Sequence, residues 1–520
     1  MSPHPNQERE NAIMEHHEPY WGEIHTHTAL SDGNGSAPDN FEIARSHLDF
    51  WAMADHAFDE QVFSLDYRTF SPDRSLLNEE WDEIQELCRT YEDPGIFIPF
   101  LAYEWTNFQY GHHNVYYLEY DEPIRMPPTL LALYGSLREV QAFVIPHHGA
   151  YPVGICGKDW SCHDERLTPF VEIYSLHGSS EAPGGIEPLL TAGSWMGPGG
   201  SGGSVQEGLD RGYRLGIMAS SDSHGDHPGA YDTGLIAAYA PELTRQSLWE
   251  TFRQKRIYGV TGDRITLDFR LNGRPMGSSA DSQGAREMEI LVVAWDTVER
   301  VDIVKNGALL HSFVEPVGAS PSPTGQTRFR FMVEWGWDRQ DQRDWEGRLR
   351  VEGGSILQAV PCYRGNAASR LGRGIAHLSA TECRWTSTTP RVDIGRCFRS
   401  FADALAVEAE CDPAARLHFA FTCAGLTREW SVSPAQVLRE SGVTYMEQIP
   451  ATNDGSHWHH MESVAKVKIH QGWPAERLTL NLSFTDHAGR EPGGSTDYYY
   501  VRVLQANGQR AWSSPVWVTG

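Results

Sequence analysis

Along the first half of the chain, short apolar runs end abruptly in histidine or acid. Residues 20–24 run into His25-Thr26-His27, 48–54 into Asp55-His56, and 96–102 into Glu104. Residues 142–146 lead to His147-His148, 170–174 to Ser175 and His177, and 215–220 to Ser221-Asp222-Ser223-His224. Apolar runs of this length with polar ends predict buried strands. The amphipathic stretches between them, 38–47, 77–90, 136–141, 204–211 and 243–255, predict helices, the first with Asp39 near its start. Strand–helix alternation predicts an α/β fold with a parallel sheet, and polar groups gathered at many carboxyl ends predict that the sheet closes into a barrel with one mouth.

From Arg264 the period changes. Runs at 265–271, 287–294 and 301–305 are punctuated by Asn272-Gly273 and Asn306-Gly307, the strongest short hairpin signal, and further runs follow at 417–422, 463–469, 478–483 and 497–504. The pattern divides the chain into an α/β part over 1–263, a β-sandwich region over 264–375 and a second β-rich region over 376–520. Whether the final strand stays in the second region or returns to complete the first is open.

Composition narrows the function classes. The chain has 520 residues, enough for two or three domains, and a net charge of -26, which opposes binding to nucleic acid or anionic lipid. A mean hydropathy of -0.45 and the lack of a signal-like start make a cytoplasmic protein without a membrane span the expectation. Eight cysteines without a CxxC pair are expected to be reduced and structural.

The strand ends carry the chemistry. Two histidines at i, i+2 on an extended segment face the same side and reach one ion, and the same residue types recur at five further strand ends. A set rich in imidazole with a few carboxylates suits zinc, manganese or iron better than calcium or magnesium. Neighbouring ions activate water and hold attacking and leaving oxygens, an arrangement suited to phosphoesters and open also to other esters and amides. No GxSxG elbow or GxxxxGK[ST] loop competes. Arg45, Lys158 and Arg214 lie near the motifs, as phosphate partners or as surface residues. The glycine-rich segment 182–203, with Trp195 and Met196, is a surface connection or a mobile lid over the site. His457-Trp458-His459-His460, with no acid pattern nearby, is expected to be an ordinary turn.

The motifs HTHTALSDG, ADH, YEWT, GHHN, PHH and SSDSH, in that order, resemble the PHP (polymerase and histidinol phosphatase) superfamily of metal-dependent hydrolases. WGEIHTHTALSDG, VEIYSLHGSSE and GYRLGIMASSDSHGDHPG look most like its DUF3604 branch. The resemblance implies a distorted (β/α)7 barrel followed by a C-terminal all-β, sandwich-like region. It also implies two or three divalent ions (Zn, Mn or Fe) held by His25, His27, Asp32, His56, Glu104, His112, His147, Asp222 and His224. In each of the doublets His112-His113 and His147-His148 the first residue is taken as ligand by motif alignment, and the second faces substrate or is the ligand instead. Catalytic roles are expected for Glu104, Asp222, His224 and His177, and substrate contacts for His113, His148 and Glu172. The implied activity is hydrolysis of a small-molecule phosphoester by metal-activated water. Cleavage of a carboxylic ester, lactone or amide at the same site, or a non-catalytic metal-stabilised binding protein, is the alternative.

Overall fold

The computed structural model describes residues 18–58, 75–76, 78–183, 199–281, 284–314, 325–337, 342–389, 402–447, 464–487 and 496–519. Residues 184–198 with Trp195 and Met196, the histidines at 457–460, and Cys397 lie outside the described residues.

The apolar runs become β1 (Tyr20–Thr26), β2 (Phe50–Met53), β3 (His56–Ala57), β4 (Ile98–Trp105), β5 (His113–Tyr117), β6 (Ala142–Pro146), β7 (Phe170–Ser175), β8 (Gly178–Ser179), β9 (Gly216–Ala219), β10 (Leu235–Ala238) and β11 (Ile257–Val260). β1, β2 and β4 are parallel neighbours, with β3 beside the end of β4. β5 and β6 then join antiparallel, as do β10 and β11 on the far side of β1. The expectation of a purely parallel sheet is therefore corrected: the sheet is mixed, because β5 turns straight back along β4 without a crossover helix.

β7, β8 and β9 form a separate three-stranded sheet, so the hydrogen-bonded strand order is open among the described residues. The two sheets nevertheless share one interior. Ile24, Phe50, Ile98, Phe143, Phe170, Met218 and Ile236 meet in a single buried cluster with Leu248, Trp249 and Phe252 of the helix Arg245–Arg253. Burying each large side chain there contributes roughly 1.5–3 kcal/mol. β9 is also tied to β1 directly, where the amide of Asp222 donates to the carbonyl of His25 (2.9 Å) and that of His27 to Ser223 (3.0 Å).

Helices over Ala37–Arg45, Asn78–Tyr91, Val205–Asp210 and Arg245–Arg253 follow the expected stretches. Ser204 closes the third with a reciprocal capping box to Glu207. The helix expected over 136–141 lies instead at Leu130–Ser136, capped by Thr129. Leu130, Leu133, Tyr134 and Leu137, at helical spacing, are the buried face that sets it there. No helix among the described residues is long and apolar enough to cross a membrane.

The rest of the chain is mostly β. Asn272 and Gly273, and again Asn306 and Gly307, all have positive φ (49°, 71°, 49° and 73°), the conformation a two-residue hairpin turn demands. The sheets divide the chain differently from the boundary at 375. Strands Thr327–Gly336, Arg343–Cys362, Gly374–Leu378, Glu382–Thr389 and Ala402–Cys423 share one nine-stranded sheet around its own core. Thr266–Leu271 pairs with Arg286–Val293, which on its other edge pairs with Thr479–Asp486, far along the chain. Arg510–Ser513 pairs with β11, so the last strands return to the sheet that contains β1. The core that holds Trp51 and Trp81 runs on without a break into Phe269, Ile290 and Val501.

One polar clamp reinforces that union. The carboxylate of Glu181, buried just after β8, accepts from Tyr500 (2.5 Å), the Trp512 indole (3.1 Å) and Arg502 (3.1 Å to each oxygen), and Arg502 also pairs with Asp302 (2.8 Å). Arg502→Ala leaves the enclosed Glu181 carboxylate without its cation and Asp302 with only Arg300 (3.5 Å). It is expected to lower unfolding free energy by about 3–5 kcal/mol in denaturant titrations, and a loss below about 1 kcal/mol would show that the clamp is dispensable.

Candidate metal centre

β1 carries His25 and sets His27 just past its end, and its register against β2 shifts between Glu23 and Thr26. The segment that follows is fixed by Asp55, whose carboxylate accepts from the Thr28 amide (2.8 Å) and hydroxyl (2.8 Å) and from the Ser31 amide (3.1 Å) and hydroxyl (2.6 Å). Asp32 is thereby delivered to the mouth. On the β3–β4 ladder His56 stands directly opposite Glu104, and β6 ends at His147 and His148. Asp222 (φ 53°) and His148 (φ 34°) both adopt the left-handed backbone rare for such residues, a local cost borne where each side chain must point inward.

Glu104 lies at the centre. Its Oε1 is 2.7 Å from His112 Nδ1 and 3.1 Å from His56 Nδ1, and its Oε2 is 3.4, 3.5 and 3.6 Å from the Nε2 atoms of His27, His25 and His147. Asp222 Oδ1 is 3.3 Å from Nε2 of both His25 and His27. Ligand-type atoms gather into three groups, each within 4.8 Å: His25, His27, Glu104 and Asp222; His27, Asp32, His56 and His224; and His112, His147 and His148.

All nine expected ligands fall in these groups, and His148 joins them. His177, half-buried, sets Nε2 3.2 Å from Asp222 Oδ2 and Nδ1 3.0 Å from the Tyr151 hydroxyl. Glu172, expected at the substrate, stands behind His25 with Oε2 2.8 Å from its Nδ1. His113 joins none of the groups: its Nδ1 lies 2.8 Å from the Gly111 carbonyl and its Nε2 3.2 Å from Lys158 Nζ. Arg45 is paired with Asp93 (2.7 Å), and Arg214 bonds Ser279 (2.9 Å). Sequence reasoning missed Asp55 as an organiser, although it directly precedes His56, and missed Tyr151 and Thr106, which bonds His56 Nδ1 (2.8 Å). No spacing marks those two.

The electrostatics suit metal ligands. Burial pushes His27 down to about 3, helped by His224 and His56, and burial with crowding by neighbouring imidazoles holds His147 and His148 well below the usual range, so all three present lone pairs. Burial works against ionisation of Glu104 and Asp222, yet the facing histidines hold both well below the usual carboxylate range. His25 is also opposed by burial but is raised by Asp222 and Glu172, while burial lifts Glu172 to about 7.

Divalent ions fit this donor set. Nε2 of His25, His27 and His147, Glu104 Oε2 and Asp222 Oδ2 are buried and form no hydrogen bond. Nε2 of His56 and His224 face each other at 3.3 Å. Buried polar atoms are ordinarily paired, and so many unpaired ligand atoms converging on shared points is what coordination by ions resolves.

Three comparisons bear on the chain. No protein-family model matches it. An uncharacterised protein of Chlamydia pneumoniae is 31% identical over 158 residues, which covers 28% of this chain and 25% of that protein. Uncharacterised proteins of Chlamydia muridarum and Chlamydia trachomatis are each 29% identical, over 174 and 160 residues, covering 30% and 28% of this chain and 28% and 25% of theirs. The chain thus spans about a quarter of the length of the curated relatives it matches. Among solved structures, a two-domain protein of Bacteroides vulgatus containing a predicted PHP-like metal-dependent phosphoesterase is 10% identical, with a TM-score of 0.30 over 80% of this chain and 95% of that one.

Two outcomes are expected. Elemental analysis of protein purified without chelator should find more than one transition-metal ion per chain. His25→Ala should lower that content, and Glu172→Gln should weaken metal affinity by roughly 10–100-fold through the lost hold on His25. Equal content in all three proteins would refute the assignment. The second concerns Lys158, which burial lowers to about 7. Between that value and its unfolded value near 10.5 the unfolded chain carries a proton that the folded chain lacks. Stability is therefore expected to rise with pH across that window, by up to about 1.4 kcal/mol per pH unit from this group, and Lys158→Met should flatten the rise in denaturant titrations.

Proposed function

We propose that the protein is a PHP-type metal-dependent hydrolase that cleaves a phosphoester of a small molecule at a di- or trinuclear centre of zinc, manganese or iron. The observation that carries the reading is Glu104, one buried carboxylate facing five imidazoles within 3.6 Å. In this reading the two sheets around the shared interior are a distorted (β/α)7-type barrel, and the convergent strand ends are its mouth.

His25, His27, Glu104 and Asp222 would hold one ion, Asp32, His56 and His224 a second, and His112 and His147 a third, with His148 as an added ligand or a substrate contact. Bound there, the ions supply Lewis acidity and activate water near neutral pH. The chain supplies the rest. Glu104 reaches all three groups and Asp222 two, and together they fix the spacing. Glu172 turns His25 so that its Nε2 faces the centre. His177, held by Tyr151 at one ring nitrogen, presents the other beside Asp222, where a proton can pass to a leaving oxygen. Asp32 and His224 are the more exposed members, so substrate enters on their side.

The test is turnover of a phosphomonoester and phosphodiester panel beside carboxylic esters, lactones and amides. Phosphoester turnover should vanish with chelator and return with Mn, Zn or Fe. Asp222→Ala is expected to lower kcat at least about 10³-fold, and His177→Ala about 10²–10⁴-fold with metal content kept. Activity confined to carboxylic esters or amides would replace the substrate class, and chelator-resistant turnover would refute the mechanism.

A further inference from the structure

A second site of different chemistry lies away from the metal centre. Between the helix Ala37–Arg45 and the nine-stranded sheet is a cavity of about 750 Å³, lined on one side by Arg264, Arg370 and Arg373 and on the other by apolar side chains that include Ile43, Val360 and Ile375. Among the described residues the only carboxylate in its lining is Glu42, which is bonded to the Tyr91 hydroxyl (2.7 Å).

Arg370 is 3% exposed, and its Nε has no hydrogen-bond partner. Its Nη2 reaches the Ser46 hydroxyl (3.2 Å) and His47 Nδ1 (3.5 Å), and its guanidinium lies over the Tyr363 ring at 5.2 Å. Arg264 donates to the His47 carbonyl and stands over Trp21 at 5.9 Å. Among the described residues neither guanidinium has a carboxylate at ion-pair distance. Asp49 and Asp403 are the acids that act on them from further away, and each is engaged elsewhere, with the Trp21 amide (2.7 Å) and the Arg364 amide (2.9 Å). Arg373 is bonded to Asp344 (3.2 Å) and Thr388 (3.0 Å). In a chain of net charge -26, a buried and a half-buried arginine with no carboxylate at ion-pair distance among the described residues stand out. Enclosing such a charge is costly unless it is paired, and guanidinium is the side chain best matched to an oxyanion.

We propose that this cavity binds a small organic anion, with a phosphate or carboxylate oxyanion held between Arg264 and Arg370 and an apolar body laid against Ile43, Val360 and Ile375. The inference does not depend on the hydrolase reading, since none of these residues belongs to the metal groups.

The test is calorimetric titration of the metal-loaded protein with phenylphosphonate and with benzoate, whose headgroups separate a phosphate site from a carboxylate site. At least one probe is expected to bind. The R264Q/R370Q double variant should weaken that binding at least about tenfold with metal content unchanged. Ala359→Trp, which fills the cavity without touching either arginine, should cause a similar loss and carries the test should the double variant fail to fold. No binding of either probe, or affinity that is the same in wild type and A359W, would overturn the proposal.

Discussion

Five buried imidazoles pointing at one buried carboxylate is the arrangement on which the rest of this structure depends. Glu104 can stay ionised there only because the histidines surround it; burial holds His27 and His147 low, so they present lone pairs, while His25 and His56, although opposed by burial, are raised by the carboxylates beside them. Protein groups alone leave many of these atoms unpaired, so the surrounding fold must hold them together against their own preference. It does so with a shell of ordinary hydrogen bonds: Asp55 fastens the loop after His27, Glu172 turns His25, Thr106 meets His56 and Tyr151 meets His177. Two left-handed residues, His148 and Asp222, show where the backbone yields to the site.

Much of this was legible in the chain. Apolar runs ending in His, Asp or Glu located β1, β2, β4, β6, β7 and β9, because a buried strand must be apolar and its exit is the first place a polar group can sit. The nine ligand-type residues came from the same pattern together with motif resemblance, and the structure gathers them. What stayed hidden depends on contacts between distant segments. β5 was not expected as a strand, since His113 and Asn114 do not look like strand residues until Glu104 and Trp105 stand opposite them. Glu172 behind His25, and the joining of His148 to His112 and His147, require three-dimensional register that spacing does not encode. The boundary placed near residue 375 failed to follow the sheets because composition does not change there, while Arg343–Cys362 and Ala402–Cys423 pair along most of their length.

The β-rich half is built at several depths into the half that carries the candidate ligands. One continuous core spans Trp51 and Val501, the Glu181 clamp joins the segment after β8 to three residues of the last strands, and the loop that follows His224 hydrogen-bonds through His227 and Tyr231 to the backbone at Gly365 and Tyr363. Gly35, three residues beyond Asp32, sits so close to Ala367 that a Cβ there would fall 2.4 Å from that side chain. Two of the loops that carry candidate ligands therefore rest on the β region as well as on their own strands.

The pairing of Arg510–Ser513 with β11 has a consequence for how the molecule is made. Synthesis delivers His25 and His27 about 485 residues (510 − 25) before the strand that completes their sheet. Until that strand emerges, β11 is a bare edge and the core around Trp51 lacks its cover from Val501 and Val503. Contacts of such long sequence separation form slowly, so for most of translation the imidazoles belong to an unfinished sheet. The gathering of the candidate ligands is thus a late event, and the nascent chain must be kept from pairing its open edge with a neighbour in the meantime.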